Sequence, residues 1–69
     1  QKKGNLQGAI QDYTQAINSD PASAQSYFNR AIARLSLSGL EEAKADLEIA
    51  SRLGFTQAND VLQKYFDNH

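Results

Sequence analysis

The sequence predicts an all-α fold of antiparallel helix-turn-helix units, and three observations carry that expectation. Apolar residues return at the 3.6-residue interval of a helix in four separate stretches. Glycine or proline signals stand between those stretches, in connections short enough to fold each helix back on the one before it. The chain also matches itself at an offset of about 34 residues, so that one hairpin design is used again.

Taken in order, Gly4-Asn5 offers a turn whose asparagine can accept a hydrogen bond from the free amides of a following helix. Leu6, Ala9, Ile10, Tyr13, Ala16 and Ile17 then recur on one side, which predicts a first helix over 6–18. Ser19-Asp20-Pro21 ends it, because proline disfavours helical geometry in the residue before it and has no amide to donate. Ser23 is placed to cap the next helix, whose stripe is Ala24, Tyr27, Phe28, Ala31, Ile32 and Leu35. Ser38-Gly39 interrupts the pattern, and Ser38-x-x-Glu41 has the form of a capping box for the helix that follows. Leu40, Ala43, Leu47 and Ala50 give that helix its apolar side, while Glu48 and Arg52 form a favourably ordered pair on the exposed side. Gly54 closes it in a left-handed conformation and Phe55 covers the end, making 24–53 one complete hairpin. A last amphipathic helix is expected over 57–67, with Ala58, Val61, Leu62, Tyr65 and Phe66 inward and Gln57, Asn59, Asp60, Gln63, Lys64 and Asp67 outward.

Composition limits what this fold can do. The chain has 69 residues, no cysteine and a net charge of −1. A single core of that size supplies only about 3–5 kcal/mol, and no disulfide or thiolate metal site can add to it. Scattered charges leave no footprint for nucleic acid or an anionic membrane surface. No apolar run approaches the roughly 20 residues of a membrane span, and no signal-like segment opens the sequence. A soluble chain is therefore expected, in a compartment left open with the cytoplasm favoured. Gln1-Lys2-Lys3 reads as a cut or processed edge.

The offset that repeats the hairpin brings Leu6 onto Leu40, Ala9 onto Ala43, Asp12 onto Asp46, Ala16 onto Ala50 and Ala24 onto Ala58. Tyr27, Phe28, Asn29, Arg30 and Ile32 fall on Val61, Leu62, Gln63, Lys64 and Phe66 in the same register. The run Gly4-Asn5-Leu6-x-x-Ala9-Ile10-x-Asp12-Tyr13-x-x-Ala16-Ile17-x-x-Asp20-Pro21 resembles the second helix and closing Asp-Pro of a tetratricopeptide repeat. Tyr27-Phe28-Asn29-Arg30-Ala31 is similar to the first helix of the next repeat, and Leu40-Glu41-Glu42-Ala43-x-x-Asp46-Leu47-x-x-Ala50 to its partner. The resemblance spans Gly4 to about Phe66 and implies about one and a half repeats plus a capping helix. It also implies that helix 6–18 lacks the first helix of its own repeat, supplied by a longer parent protein or by another chain. Arg30 and Arg34 depart from the family by standing where a leucine and an aromatic are usual. Their stems must cover apolar surface while their heads reach water or a carboxylate.

Catalysis finds no support in the residues. Asp12, Glu41, Glu42, Asp46, Glu48, Asp60 and Asp67 fall mostly on expected polar faces, with no pair required to converge in a cleft. His69 is the final residue, and the serines lack a histidine base or a nucleophile elbow. No cofactor, metal site or phosphate-cradling loop is expected. The resemblance instead implies a non-catalytic protein-interaction module. In that family the first helix of each repeat lines a concave groove, which points to Gln25, Phe28, Asn29, Ile32 and Ser36, with Asn59 and Gln63 on the next groove helix. The helical wheel independently puts Phe28 and Ile32 at one margin of the apolar stripe, with Gln25, Asn29 and Ser36 beyond it. Such a mixture suits an extended peptide or protein segment held by side-chain burial and backbone hydrogen bonds. Asn29 also matches an asparagine of the family's dicarboxylate clamp, but Asn59 and Gln63 stand where the clamp needs a lysine and an arginine. The alternative is a structural role, as C-terminal closure of a longer solenoid or as a self-association segment using Leu6, Ile10, Tyr13 and Ile17.

Overall fold

The computed structural model describes residues 5–66 and contains four helices, α1 (Leu6–Ser19), α2 (Ala24–Ser36), α3 (Leu40–Arg52) and α4 (Thr56–Phe66). Among the described residues there is no strand. Each helix packs chiefly on its neighbour in sequence, α1 on α2, α2 on α3 and α3 on α4. The observed ends differ from the expected ones by a single residue: α1 reaches Ser19, α3 stops at Arg52 with Leu53 as its cap, and α4 runs 56–66. Asp67 and His69 lie outside the described residues.

The helix starts follow local chemistry. Asn5 Oδ1 accepts from the Gly8 amide at 3.2 Å, and Ser23 Oγ accepts from the Ser26 amide at 3.4 Å, so both sequence-assigned caps are present. Asp20 Oδ1 accepts from the Ala22 amide at 3.2 Å and turns the chain at Pro21. The capping box at Ser38 does not form. α3 is capped by Gly39 without a side-chain hydrogen bond, because Ser38 is committed to ending α2 instead.

Both later turns have the same hydrogen-bonded form. Gly39 N donates to Arg34 O at 2.8 Å and Ser38 N to Leu35 O at 3.0 Å, while Phe55 N donates to Ala50 O and Gly54 N to Ser51 O, each at 3.0 Å. These are the paired bonds of the Schellman motif, which satisfy carbonyls the helix leaves open. The motif needs a left-handed residue, which is Gly54 at φ 99° in the second case and Ser38 at φ 66° in the first. A side chain in that region costs about 1–2 kcal/mol, so the first turn carries a strain the second avoids.

The core is built on small residues. Ala31, Ala43, Leu47, Ala50 and Ala58 are all fully buried, and Tyr27, Phe28, Leu35, Phe55, Val61, Leu62 and Phe66 pack around them. Alanines let helix axes approach closely, and Leu47 fills the space between them at a gain of about 1.5–3 kcal/mol for a side chain of its kind. Phe55 does cover the end of α3: its ring lies 4.8 Å from that of Phe28 at an interplanar angle of 42°. Two residues expected on the core side are largely exposed, Leu40 at 54% and Tyr65 at 60%. Leu40 opens α3, where no preceding turn covers it. Tyr65 falls one repeat beyond Ala31, on α4, whose chief packing among the described residues is against α3 alone.

Candidate functional site

The chemistry that fixes α2 in place comes from a residue expected on a polar face. Asp46 on α3 is 2% exposed, and the reason is a pair of arginines on α2. Arg30 Nε donates to Asp46 Oδ2 at 2.9 Å and Nη2 to Oδ1 at 2.8 Å, a two-pronged contact matched to the carboxylate plane. Arg34 Nη1 adds a third bond to Oδ2 at 3.0 Å. The remaining fork of Arg30 donates to Thr14 Oγ1 at 3.1 Å, and Thr14 Oγ1 donates to Ile10 O at 2.8 Å, which carries the network into α1. The hydrogen bond to Asp46 raises the Arg30 pKa, against a burial that would lower it. Both guanidinium heads thus reach a carboxylate, as their departure from apolar positions requires. Glu48 and Arg52, the pair expected on the surface of α3, form no ion pair.

With its rear face locked to α1 and α3, α2 turns an uncharged stripe outward. Gln25, Asn29, Ile32 and Ser36 follow one another at helical spacing; Gln25 and Ser36 are exposed, Asn29 is half-buried and Ile32 is 38% exposed. At its C-terminal end the stripe runs into a cavity of about 310 Å³ lined by Ile32, Leu35, Ser36, Leu40 and Tyr65. Residues near the ends of α2 and α4 and at the start of α3 meet there, so the exposed Leu40 and Tyr65 form its walls. Among the described residues no charged side chain lines it.

The expected groove residues separate by position. Ile32 and Ser36 line the cavity, and Gln25 and Asn29 continue its track along α2. Phe28 is half-buried and packs its ring at a tilt against Phe55 beside the core. Asn59 accepts a hydrogen bond from Ser51 Oγ, and Gln63 is exposed on α4. Leu35, Leu40 and Tyr65 were missed as lining residues because they share the apolar pattern of the core. The signal that could have separated Tyr65 is its register, which sets a large ring where the preceding repeat has Ala31. Ile17 needs correction in the proposed self-association face: it is 8% exposed, buried within the chain itself. Leu6, Ile10 and Tyr13 are half-buried alongside it.

Among the described residues no helix is long and apolar enough to cross a membrane, and no three histidine, aspartate or glutamate side chains gather as a metal-binding group would. Consecutive helices packed each on the next, with fully buried alanines at Ala31, Ala43, Ala50 and Ala58 between them, define an α-helical repeat architecture. The sequence model of the family described as TPR repeat matches residues 2–38, more than half of the chain, and the chain belongs to that family. No curated protein and no solved structure gives a significant match.

Proposed function

We propose that the chain is a non-catalytic interaction module that holds a peptide or protein segment along the outward face of α2, between Gln25 and Ser36. The observation that supports this reading is the continuity of an amide-bearing stripe with an apolar cavity at its end. Amides can bond an extended backbone at any sequence, and the cavity takes the side chain that selects it. Members of the tetratricopeptide family are interaction modules in general, and this site would be where that activity resides here. The clamp for terminal carboxylates is a poor fit, because Asn59 and Gln63 offer no cation. A photo-crosslinking amino acid at Ser36, compared with one at the exposed Glu48 on α3, tests the face. Protein or peptide adducts from position 36 and not from 48 are expected; adducts from neither, or from 48 alone, remove the proposal.

A second reading, closure of a helical stack by α4, is favoured by Tyr65. Ala31, one repeat earlier, is fully buried in the close approach of α2 and α3. A tyrosine at the same register holds any further helix away from α4, which leaves α4 as the capping helix of the array. The two readings are compatible, since Tyr65 serves the cavity as well.

A further inference from the structure

We infer that the occupant of this face is an uncharged extended segment of about five residues, anchored by one large apolar side chain in the cavity at the C-terminal end of α2. This inference rests on the groove reading above and adds the chemistry of what binds there. Three features support it.

The first is electrical. Charged residues make up 22% of the sequence, yet none of the five cavity residues and none of Gln25, Asn29, Ile32 and Ser36 carries a charge. Both arginines of α2 are turned to the other side and held by Asp46, so neither can meet an acidic partner on this face. The Lys64 ammonium lies 5.9 Å from the centre of the Tyr65 ring, so a cation is set against one wall. A charged group buried among the five lining residues would lose water and find no charged partner among them, which selects against a charged anchor.

The second is size. A cavity of about 310 Å³ lies at the small end of ligand pockets, with room for even the largest apolar side chain, phenylalanine or tryptophan included. Its walls are aliphatic and aromatic apart from Ser36.

The third is length. From Gln25 to Ser36 is three helical turns, about 16 Å at 1.5 Å per residue. An extended chain covers that distance in about five residues, at roughly 3.3 Å each. Every second side chain of such a segment points toward the helix, so the anchor sits at Ile32 and Ser36 while the Gln25 and Asn29 amides meet backbone groups near the other end.

Selection from a display library of random dodecapeptides, run in parallel on the wild-type chain and on Ile32→Lys, provides the test. Both Ile32 and Tyr65 are substantially exposed, so Ile32→Lys and Tyr65→Ala should keep the wild-type circular dichroism. The expected result is enrichment of peptides with one leucine, phenylalanine or tryptophan flanked by uncharged residues. Binding of synthetic examples should fall at least tenfold in both variants. Enrichment of Asp- or Glu-rich peptides, lost in Asn29→Ala but indifferent to Tyr65→Ala, would leave the groove reading standing and overturn the apolar anchor. Enrichment no greater on the wild-type chain than on Ile32→Lys would remove both.

Discussion

Arg30 and Asp46, sixteen positions apart on α2 and α3, meet through two hydrogen bonds of 2.9 and 2.8 Å with side chains only 14% and 3% exposed. A one-residue rotation of α2 would break both bonds and the third from Arg34, so the network specifies which face of the helix points outward. Removing the carboxylate would leave two partly buried cations without a counter-charge. Asp46→Ala is therefore expected to cost about 3–5 kcal/mol, comparable to the whole stability of a domain this small. Urea denaturation followed by circular dichroism should show an unfolded or barely folded chain. An apolar exchange of both partners, Arg30→Met with Asp46→Leu, should recover much of the loss, because the desolvation cost is removed along with the pair.

The two Schellman turns differ in one residue, and that difference has a measurable consequence. Ser38 sits at φ 66° with a side chain, whereas Gly54 sits at φ 99° without one. Ser38→Gly is expected to stabilise the fold by about 1 kcal/mol and Gly54→Ala to destabilise it by a similar amount. No atom lies within 4 Å of the position a Cβ would take at Gly54, so the effect there is conformational rather than steric. For a domain of this size 1 kcal/mol corresponds to roughly 4–8 °C in Tm, readable by thermal melts of the two variants.

The four helices were legible in the sequence because each carries an apolar stripe, and the first three are also stopped by a turn residue, Pro21, Ser38-Gly39 and Gly54. The 34-residue register likewise located the alanines that became the core. What the pattern could not express was partnership across helices. Asp46 looks like a surface residue from its own helix, and only the arrival of Arg30 and Arg34 from α2 makes its burial tolerable. Ser38 followed by Glu41 satisfies the rule for a capping box, but the competing demand of closing α2 takes Ser38 first. Of the residues expected to line a groove, Ile32 and Ser36 could be placed on the open face by wheel geometry. Phe28 sat at the margin between core and groove, and the ring of Phe55, from a turn after α3, draws it inward.

That distinction between Phe28 and Ile32 predicts opposite phenotypes for neighbouring substitutions. Phe28→Ala removes a ring stacked on Phe55 and bordering the fully buried alanines, and should cost about 3–5 kcal/mol. Any loss of binding it causes would come from unfolding. Chemical denaturation of the variant, compared with wild type before any binding assay, checks this; a midpoint within error of wild type would mean the aromatic contact contributes little.

Ile32→Ala combined with Asn29→Ala should do the reverse. Ile32 is 38% exposed and Asn29 makes no side-chain hydrogen bond to another described residue, so the pair should change stability by less than about 1 kcal/mol. The same substitutions take away one wall of the cavity and the amide in the middle of the α2 stripe. Peptides selected on the wild-type chain are expected to lose at least tenfold in affinity for the double variant, measured by fluorescence anisotropy at matched helicity. Double-mutant comparison with each single change then measures how far the two contributions are coupled, since Asn29 and Ile32 are neighbours one turn apart on α2 and touch the same peptide. Affinity unchanged at wild-type helicity would move the binding face away from α2 altogether, leaving the stack-closing role of α4 as the function this segment supports.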